Sequence, residues 1–263
     1  MILLRFGVAS LVSLPFAFAS AEARALFRSP VVLLAGLLYG VGFLIQFEGL
    51  RSVTVTLAAL LVGAMPALIA VAARLMGEPV SRASWVGVVA ATIGAALIAG
   101  KPGSAGSPIG IVLSLASLLV FLGWLLVLKR TPVTRSAMAV PAVMLIVATV
   151  AILPIALLLH GAPPLALSPI AWGGVIGQGL LSTFVATAAW QYGASRVDSA
   201  SAGVFINLEP LMGATLGIGL FGDPAGLPLI LGGVLIIVGS IVVVRGERPP
   251  AHAATATHGL SID

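Results

Sequence analysis

Nine apolar runs, each about as long as a bilayer crossing, share out almost the whole chain: roughly Ile2 to Ser20, Pro30 to Leu50, Val53 to Met76, Ser84 to Gly100, Pro108 to Leu128, Ser136 to Leu159, Pro169 to Gly193, Ser199 to Phe221 and Pro228 to Val244. A hydrocarbon core of about 30 Å takes roughly 20 residues of helix per span, so each run is a candidate transmembrane helix. Composition agrees. Of 263 residues 60% are apolar and only 8% charged, where a soluble domain carries about 25% charged residues. There is too little polar side chain to cover a water-facing surface, which excludes an ordinary soluble enzyme. The segments between runs are short and carry turn chemistry or charge, as in Gly77-Glu78-Pro79, Lys101-Pro102-Gly103-Ser104 and Gly222-Asp223-Pro224, and none is long enough for a soluble domain. The predicted fold is an all-α integral membrane protein with nine transmembrane helices. Residues 245–263, rich in Ala, Thr and His without apolar periodicity, are expected to form a disordered tail.

The 13 Lys and Arg give a net charge of +5, but they are scattered between apolar runs and make no basic stripe of the kind nucleic acid needs. The absence of cysteine removes disulfides, thiolate metal sites and a cysteine nucleophile. Alternate loops divide the basic residues unequally. One side receives Arg24, Arg28, Arg74, Arg82, Lys129, Arg130, Arg135, Arg196, Arg245 and Arg248; the other receives only Arg5, Arg51 and Lys101. The positive-inside rule therefore predicts a multi-pass protein of the plasma (inner) membrane, with its C-terminus cytoplasmic and the N-terminus of this chain outside. Ala17-Phe18-Ala19-Ser20-Ala21 could pass for a signal-peptide cleavage site. Cleavage there would send the basic loops outward, so the first run is read as a span.

The chain also matches itself. At an offset of 144 residues Gly49, Val53, Ala58, Pro66 and Ala70 fall on Gly193, Val197, Ala202, Pro210 and Ala214. At 145, Gly77, Pro79, Gly87 and Gly94 fall on Gly222, Pro224, Gly232 and Gly239, with Glu78 opposite Asp223. Arg74 and Arg82 flank the Gly-Glu-Pro loop and place it inside, whereas Gly-Asp-Pro has no basic residue beside it and falls outside. The two copies are therefore expected to be inverted, an architecture that puts binding sites near the bilayer midplane.

Several polar or helix-breaking residues inside the spans are candidates for a site. Pro66 and Pro210 are repeat-equivalent and sit near mid-span, where a proline frees a backbone carbonyl; they either line a site or kink the helix for packing. Glu209 is the only acid near the centre of a span. An ionised acid at that depth costs about 2.5–3.5 kcal/mol, so it must be paired, protonated or facing water. It is either a carrier of a coupling proton or a neutral Glu hydrogen-bonded to a neighbouring helix. Asn207 lies about 200° round the helix from Glu209, so only one of the two can face a cavity squarely. Tyr39 with Gln46 on the second run, and Gln178, Ser182, Trp190 and Gln191 on the seventh, offer aromatic and polar groups on repeat-equivalent spans. Interhelical hydrogen bonding and interface anchoring are the competing readings. Glu48 and Arg51 read as solvated interfacial charges, and Glu78 and Asp223 as helix-terminus residues. The pairs Gly36 with Gly40, Gly173 with Gly177 and Gly213 with Gly217 have the spacing that brings helices close.

The repeat endings carry a family resemblance: Pro66-Ala-Leu-Ile-Ala through Leu75-Met-Gly-Glu78-Pro, and Leu208-Glu-Pro210-Leu through Leu220-Phe-Gly-Asp223-Pro. They resemble the EamA-like exporters of the drug/metabolite transporter superfamily, whose two five-helix repeats each carry Pro followed about a dozen residues later by Leu-Gly-Glu. Leu4-Arg5-Phe6 looks like the family's second helix. The resemblance divides the chain into a first repeat over 1–100, with four helices and the first one apparently missing, and a second repeat of five helices over 108–244. Asp223 departs from the usual Glu. The absent first helix is expected about 25 to 35 residues upstream of the present start; a nine-span protein is the alternative. The resemblance implies ten helices around a central cavity, a small-molecule substrate such as an amino acid, nucleobase or drug-like compound, outward movement, and in some members coupling to protons. It makes Arg5 a candidate for gating or an ion pair, against snorkelling to the headgroups. Lipid is an obligate partner and a second copy of the chain a candidate one.

Other activities lack their motifs. Ala95 to Pro102, the nearest approach to a phosphate loop, has Ala for the first Gly and Pro for the final Ser or Thr. His160, His252 and His258 form no His-Glu-x-x-His, and no Gly-x-Ser-x-Gly accompanies a membrane His. The sequence therefore predicts a secondary transporter, not an enzyme, with no cofactor and no metal site. The competing class is a non-transporting membrane subunit or a truncated relic.

Overall fold

The structure, a computed structural model, describes residues 1–75, 77, 80–99, 106–128, 130–194, 208–223 and 225–246. The tail expected to be disordered lies outside the described residues beyond 246. Among the described residues the chain is helical, without strands: α1 Ile2–Phe18, α2 Ala21–Ala25 running into a 3-10 turn Leu26–Arg28, α3 Pro30–Leu50, α4 Val55–Val62, α5 Met65–Leu75, α6 Arg82–Ala99, α7 Pro108–Leu128, α8 Ala139–His160, α9 Pro169–Gly177, a π-helical segment Gln178–Val185, α10 Ala186–Ala194, α11 Leu208–Phe221 and α12 Leu227–Gly246. Among the described residues six helical stretches, counting α4 with α5 and α9 through α10 as one each, are long and apolar enough to cross a membrane, or seven if α1 and the short helix bent 119° from it count as one. α6 and α11 occupy the other two expected places without meeting that test over the residues described.

The boundaries follow local chemistry. Pro30, Pro108 and Pro169 open α3, α7 and α9, at the turn where a missing N–H costs nothing. Ser20 and Ser168 cap α2 and α9 by accepting from Ala23 N and Ala171 N. Gly77, Gly161 and Gly222 follow the ends of α5, α8 and α11 with φ of +85°, +71° and +67°, a conformation open to glycine because it has no Cβ. Gly77 and Gly222 are the glycines matched by the 145-residue offset.

Packing divides the chain into two compact units, Met1–Thr54 with Ala105–Val197, and Val55–Ser104 with Asp198–Asp263. Each unit draws on both sequence repeats, so the packing cuts across the expected division at residues 100 and 108.

In the first unit the helices form a row in which α7 packs on α3, α3 on α8, α8 on α1, and α1 on the π-helical segment. Its centre is fully buried Phe6, Val143, Met144, Leu145, Ala148 and Ile152. Lipid tails are as apolar as these side chains, so close packing and interhelical hydrogen bonds must hold the row together. Glycines set the spacing. A Cβ on Gly36 would lie 2.7 Å from Val147 Cβ, and one on Gly40 2.8 Å from the Ala148 carbonyl oxygen. Between α1 and α8, the Ser10 and Thr149 hydroxyls share a hydrogen bond of 2.6 Å, and Thr149 Oγ1 lies 3.1 Å from the Phe6 carbonyl it donates to.

In the second unit α12 packs along α6, and α11 along α4. A Cβ on Gly94 would meet the Gly232 carbonyl oxygen at 2.5 Å, and one on Gly239 the Gly87 carbonyl at 2.5 Å. The contacting pairs, Gly87 with Gly239 and Gly94 with Gly232, run antiparallel. They are the crossed partners of the sequence-matched pairs. The third expected span breaks between α4 and α5 at Gly63 and Ala64, with Pro66 the second residue of α5. The Gly63 carbonyl accepts a hydrogen bond from Ser240 Oγ of α12, so the break is stabilised inside the unit. Asp223 Oδ2 accepts from Thr56 N at 2.7 Å and caps the start of α4. It is a helix-terminus residue, but of a helix 167 positions away.

Candidate functional site

In the first unit a set of buried polar groups gathers around Arg5. Arg5 sits one turn into α1, and only 8% of its surface is exposed. Its Nε donates to Thr183 Oγ1 at 2.5 Å, and its guanidinium lies over the rings of Phe43 and Phe47 from α3, at 5.0 and 5.3 Å from their centroids. Cation–π contacts of this kind contribute about 2 kcal/mol each when desolvated, which offsets part of the cost of holding a charge away from water. Among the described residues Arg5 has no carboxylate partner.

The π-helical segment places Thr183. The Thr183 hydroxyl donates to the Gln178 carbonyl five residues back at 3.0 Å, a reach that belongs to the wider π turn; single π turns inside α-helices recur at functional sites. One turn on, Thr187 Oγ1 lies 2.7 Å from the Tyr39 hydroxyl. Gly179 lets the segment approach α1, since a Cβ there would lie 2.6 Å from Val8 Cβ and 2.8 Å from the Arg5 carbonyl oxygen.

Around Tyr39 the rings of Phe6, Phe43, Phe121 and Trp124 lie at centroid distances of 6.1, 4.8, 6.4 and 5.1 Å, mostly tilted or edge-on as ring quadrupoles favour. Trp124 Nε1 donates to Met144 Sδ at 3.2 Å.

A cavity of about 490 Å³ opens at the ends of α3 and α8 in the same unit, within the usual range for small-molecule sites. Leu3, Phe47, Glu48, His160 and Gln178 are among its lining residues. Phe47 and Gln178 are shared with the Arg5 environment: Phe47 by ring contact and Gln178 through Thr183. At the cavity edge Glu48 Oε1 lies 2.7 Å from His160 Nε2, and Arg51 Nη1 lies 3.5 Å from Glu48 Oε2 and 3.4 Å from His160 Nδ1. Nε2–H donating to Glu48 and Nδ1 accepting from Arg51 would satisfy both neighbours at once.

The structure brings together Arg5, Gln178 and Tyr39 among the residues singled out from sequence. Arg5 and Tyr39 are buried, and Gln178 lines the cavity. Gln46 and Trp190 are half-buried on α3 and α10, and Ser182 is exposed on the π-helical segment. Gln191 is half-buried, and its Nε2 has no hydrogen-bond partner among the described residues. Glu209 and Pro210 are the second and third residues of α11, and Asn207 lies outside the described residues. Thr183, Thr187, Phe43, Phe47 and His160 carry contacts that sequence reasoning missed. The signal available for the threonines was their spacing of four on a span that already held Gln178 and Ser182.

Three comparisons bear on what such a molecule is. The model of the EamA-like transporter family matches residues 1–100 and 108–245. The permease-like protein YdzE of Bacillus subtilis (strain 168) is 33% identical over 70 residues, which is 27% of this chain and 90% of that protein. A protein of known crystal structure shares the fold with a TM-score of 0.63, over 94% of this chain and 88% of its own, at 20% identity.

Proposed function

The chain belongs to the EamA-like transporter family, and we propose that it is a secondary transporter of the plasma (inner) membrane that exports a small organic metabolite by alternating access. The observation that carries this reading is a buried cation, Arg5, walled by Phe43 and Phe47, with Phe47 continuing into the wall of a 490 Å³ cavity of the same unit. Ionisable groups inside membrane helices are expensive and mark substrate or ion pathways. Substrate contacts are assigned to Tyr39, Gln46, Pro66, Gln178, Ser182, Trp190, Asn207 and Pro210, and Glu209 to a coupling proton. The crossed glycine contacts of α6 and α12 support inverted repeats. A rocking motion would use the two compact units as its bodies instead of the two sequence halves, because tight packing runs within each unit and ignores the repeat boundary.

The test is an efflux panel of amino acids, nucleobases and cationic drugs in cells expressing the chain. Export of one class above the vector control is expected, and no export by protein that reaches the membrane would refute the reading. Glu209→Gln should abolish efflux driven by a pH gradient while insertion is unchanged. Wild-type rates from that variant would remove Glu209 from the mechanism.

A further inference from the structure

We propose that Arg5 is the anchor for a carboxylate on the transported molecule, so that the substrate class is small organic acids with an apolar or aromatic body; this rests on the transporter reading above. Arg5 is more than nine-tenths buried, yet among the described residues its guanidinium donates one hydrogen bond, from Nε to Thr183. Its two terminal amino groups bond no described residue, and no Asp or Glu pairs with it. A buried cation is ordinarily paired or hydrogen-bonded throughout. Here the fork of donors that matches a carboxylate in bidentate geometry is left unused.

The surroundings specify the rest of the ligand. Phe43 and Phe47 lie against the guanidinium, and Phe47 continues into the cavity wall beside Leu3 and Gln178. A carboxylate on the fork would leave its apolar body beside Phe47, the ring shared by the guanidinium and the cavity wall. Gln178, exposed at the same wall, is placed for a further polar group. Arg51, an arginine of the cavity wall, is engaged by Glu48 and His160. One available guanidinium between aromatic rings suits a single negative charge better than a phosphate dianion.

Acid and amide partners of equal shape test this on the purified full chain: phenylacetate against phenylacetamide, butyrate against butyramide, and phenylalanine against phenylalaninamide, with inorganic phosphate as a fourth probe. Calorimetric titration should show at least one acid binding tenfold or more tighter than its amide, and the pair that does so separates simple acids from amino acids. Arg5→Gln should erase that difference, and Arg5→Lys should restore part of it. Equal binding of acid and amide to the wild-type chain overturns the proposal without any variant, as do an acid preference that survives Arg5→Gln, tighter binding of phosphate, or no binding at all. Release from loaded proteoliposomes separates the two readings. Acids that bind through Arg5 but never cross would sink the transporter reading alone; amides or cations that cross where no acid binds would sink the carboxylate anchor alone.

Discussion

α3 and the rod made of α9, the π-helical segment and α10 are counterparts in the internal repeat, yet they are supported differently. α3 is 21 residues of continuous α-helix lying between α7 and α8. Gly36, Gly40, Gly42 and Gly49 all have neighbours at 2.7–3.0 Å from where a Cβ would stand. The rod packs chiefly on α1. There only Gly179 is crowded, whereas Gly173, Gly174, Gly177 and Gly193 have nothing within 4 Å among the described residues. Glycine spacing therefore brings helices close only where a second helix is present to use it. The less supported rod is also the one that holds a π turn, whose wider hydrogen bonding turns Thr183 and Thr187 inward while Gln178 and Ser182 remain exposed.

The contrast can be broken most sharply with one substitution made in both places. Gly40→Leu drives a side chain into the Ala148 carbonyl and should cost about 3 kcal/mol or more, at or beyond the top of the usual overpacking range. Gly174→Leu should stay within about 0.5 kcal/mol, as for exposed sites. Recovery of monodisperse protein and its thermal midpoint in detergent read both, and similar losses would show that the rod is covered. Next in size is deletion of Ser182, which removes the extra residue of the π turn and restores an α-helical ladder that no longer offers the Gln178 carbonyl to Thr183. Efflux should fall at least tenfold with insertion retained, and unchanged efflux would reduce the π turn to slack. The smallest effect belongs to the hydrogen bond joining α3 to the rod. A double-mutant cycle of Tyr39→Phe and Thr187→Val should give a coupling of about 0.6 kcal/mol, the average for such bonds in membranes; strict additivity would mean that the 2.7 Å contact contributes nothing to stability.

The sequence made the helices legible because a bilayer imposes one length and one polarity on each, so the runs starting at Pro30, Pro108 and Pro169 became helices starting at those prolines. The break at Gly63 and Ala64 lies just before Pro66, which stands in the first turn of α5 where a missing N–H costs nothing. Pairing was not legible. Nothing local to Asp223 names Thr56 as the amide it caps, and nothing in Gly173-x-x-x-Gly177 shows that the pair has no described residue against it. The π turn carries no composition of its own, which hid Thr183 and so the anchoring of Arg5. Tyr39 was singled out on chemistry alone. Its burial among four other rings follows from the row of helices in the first unit, which periodicity on nearly uniformly apolar spans does not reveal.

The glycine crossing of α6 and α12 also sets a timetable for biogenesis. Gly87 meets Gly239, a partner synthesised 152 residues later, which at ribosomal speeds is a wait of roughly 8 to 30 s. During that interval α6 is already made while the glycine face that α12 will cover is still unclaimed. The second unit closes only when the last helix emerges, so a nascent chain stalled or cut short in its final span would leave α6 as the surface a membrane quality-control protease is positioned to recognise.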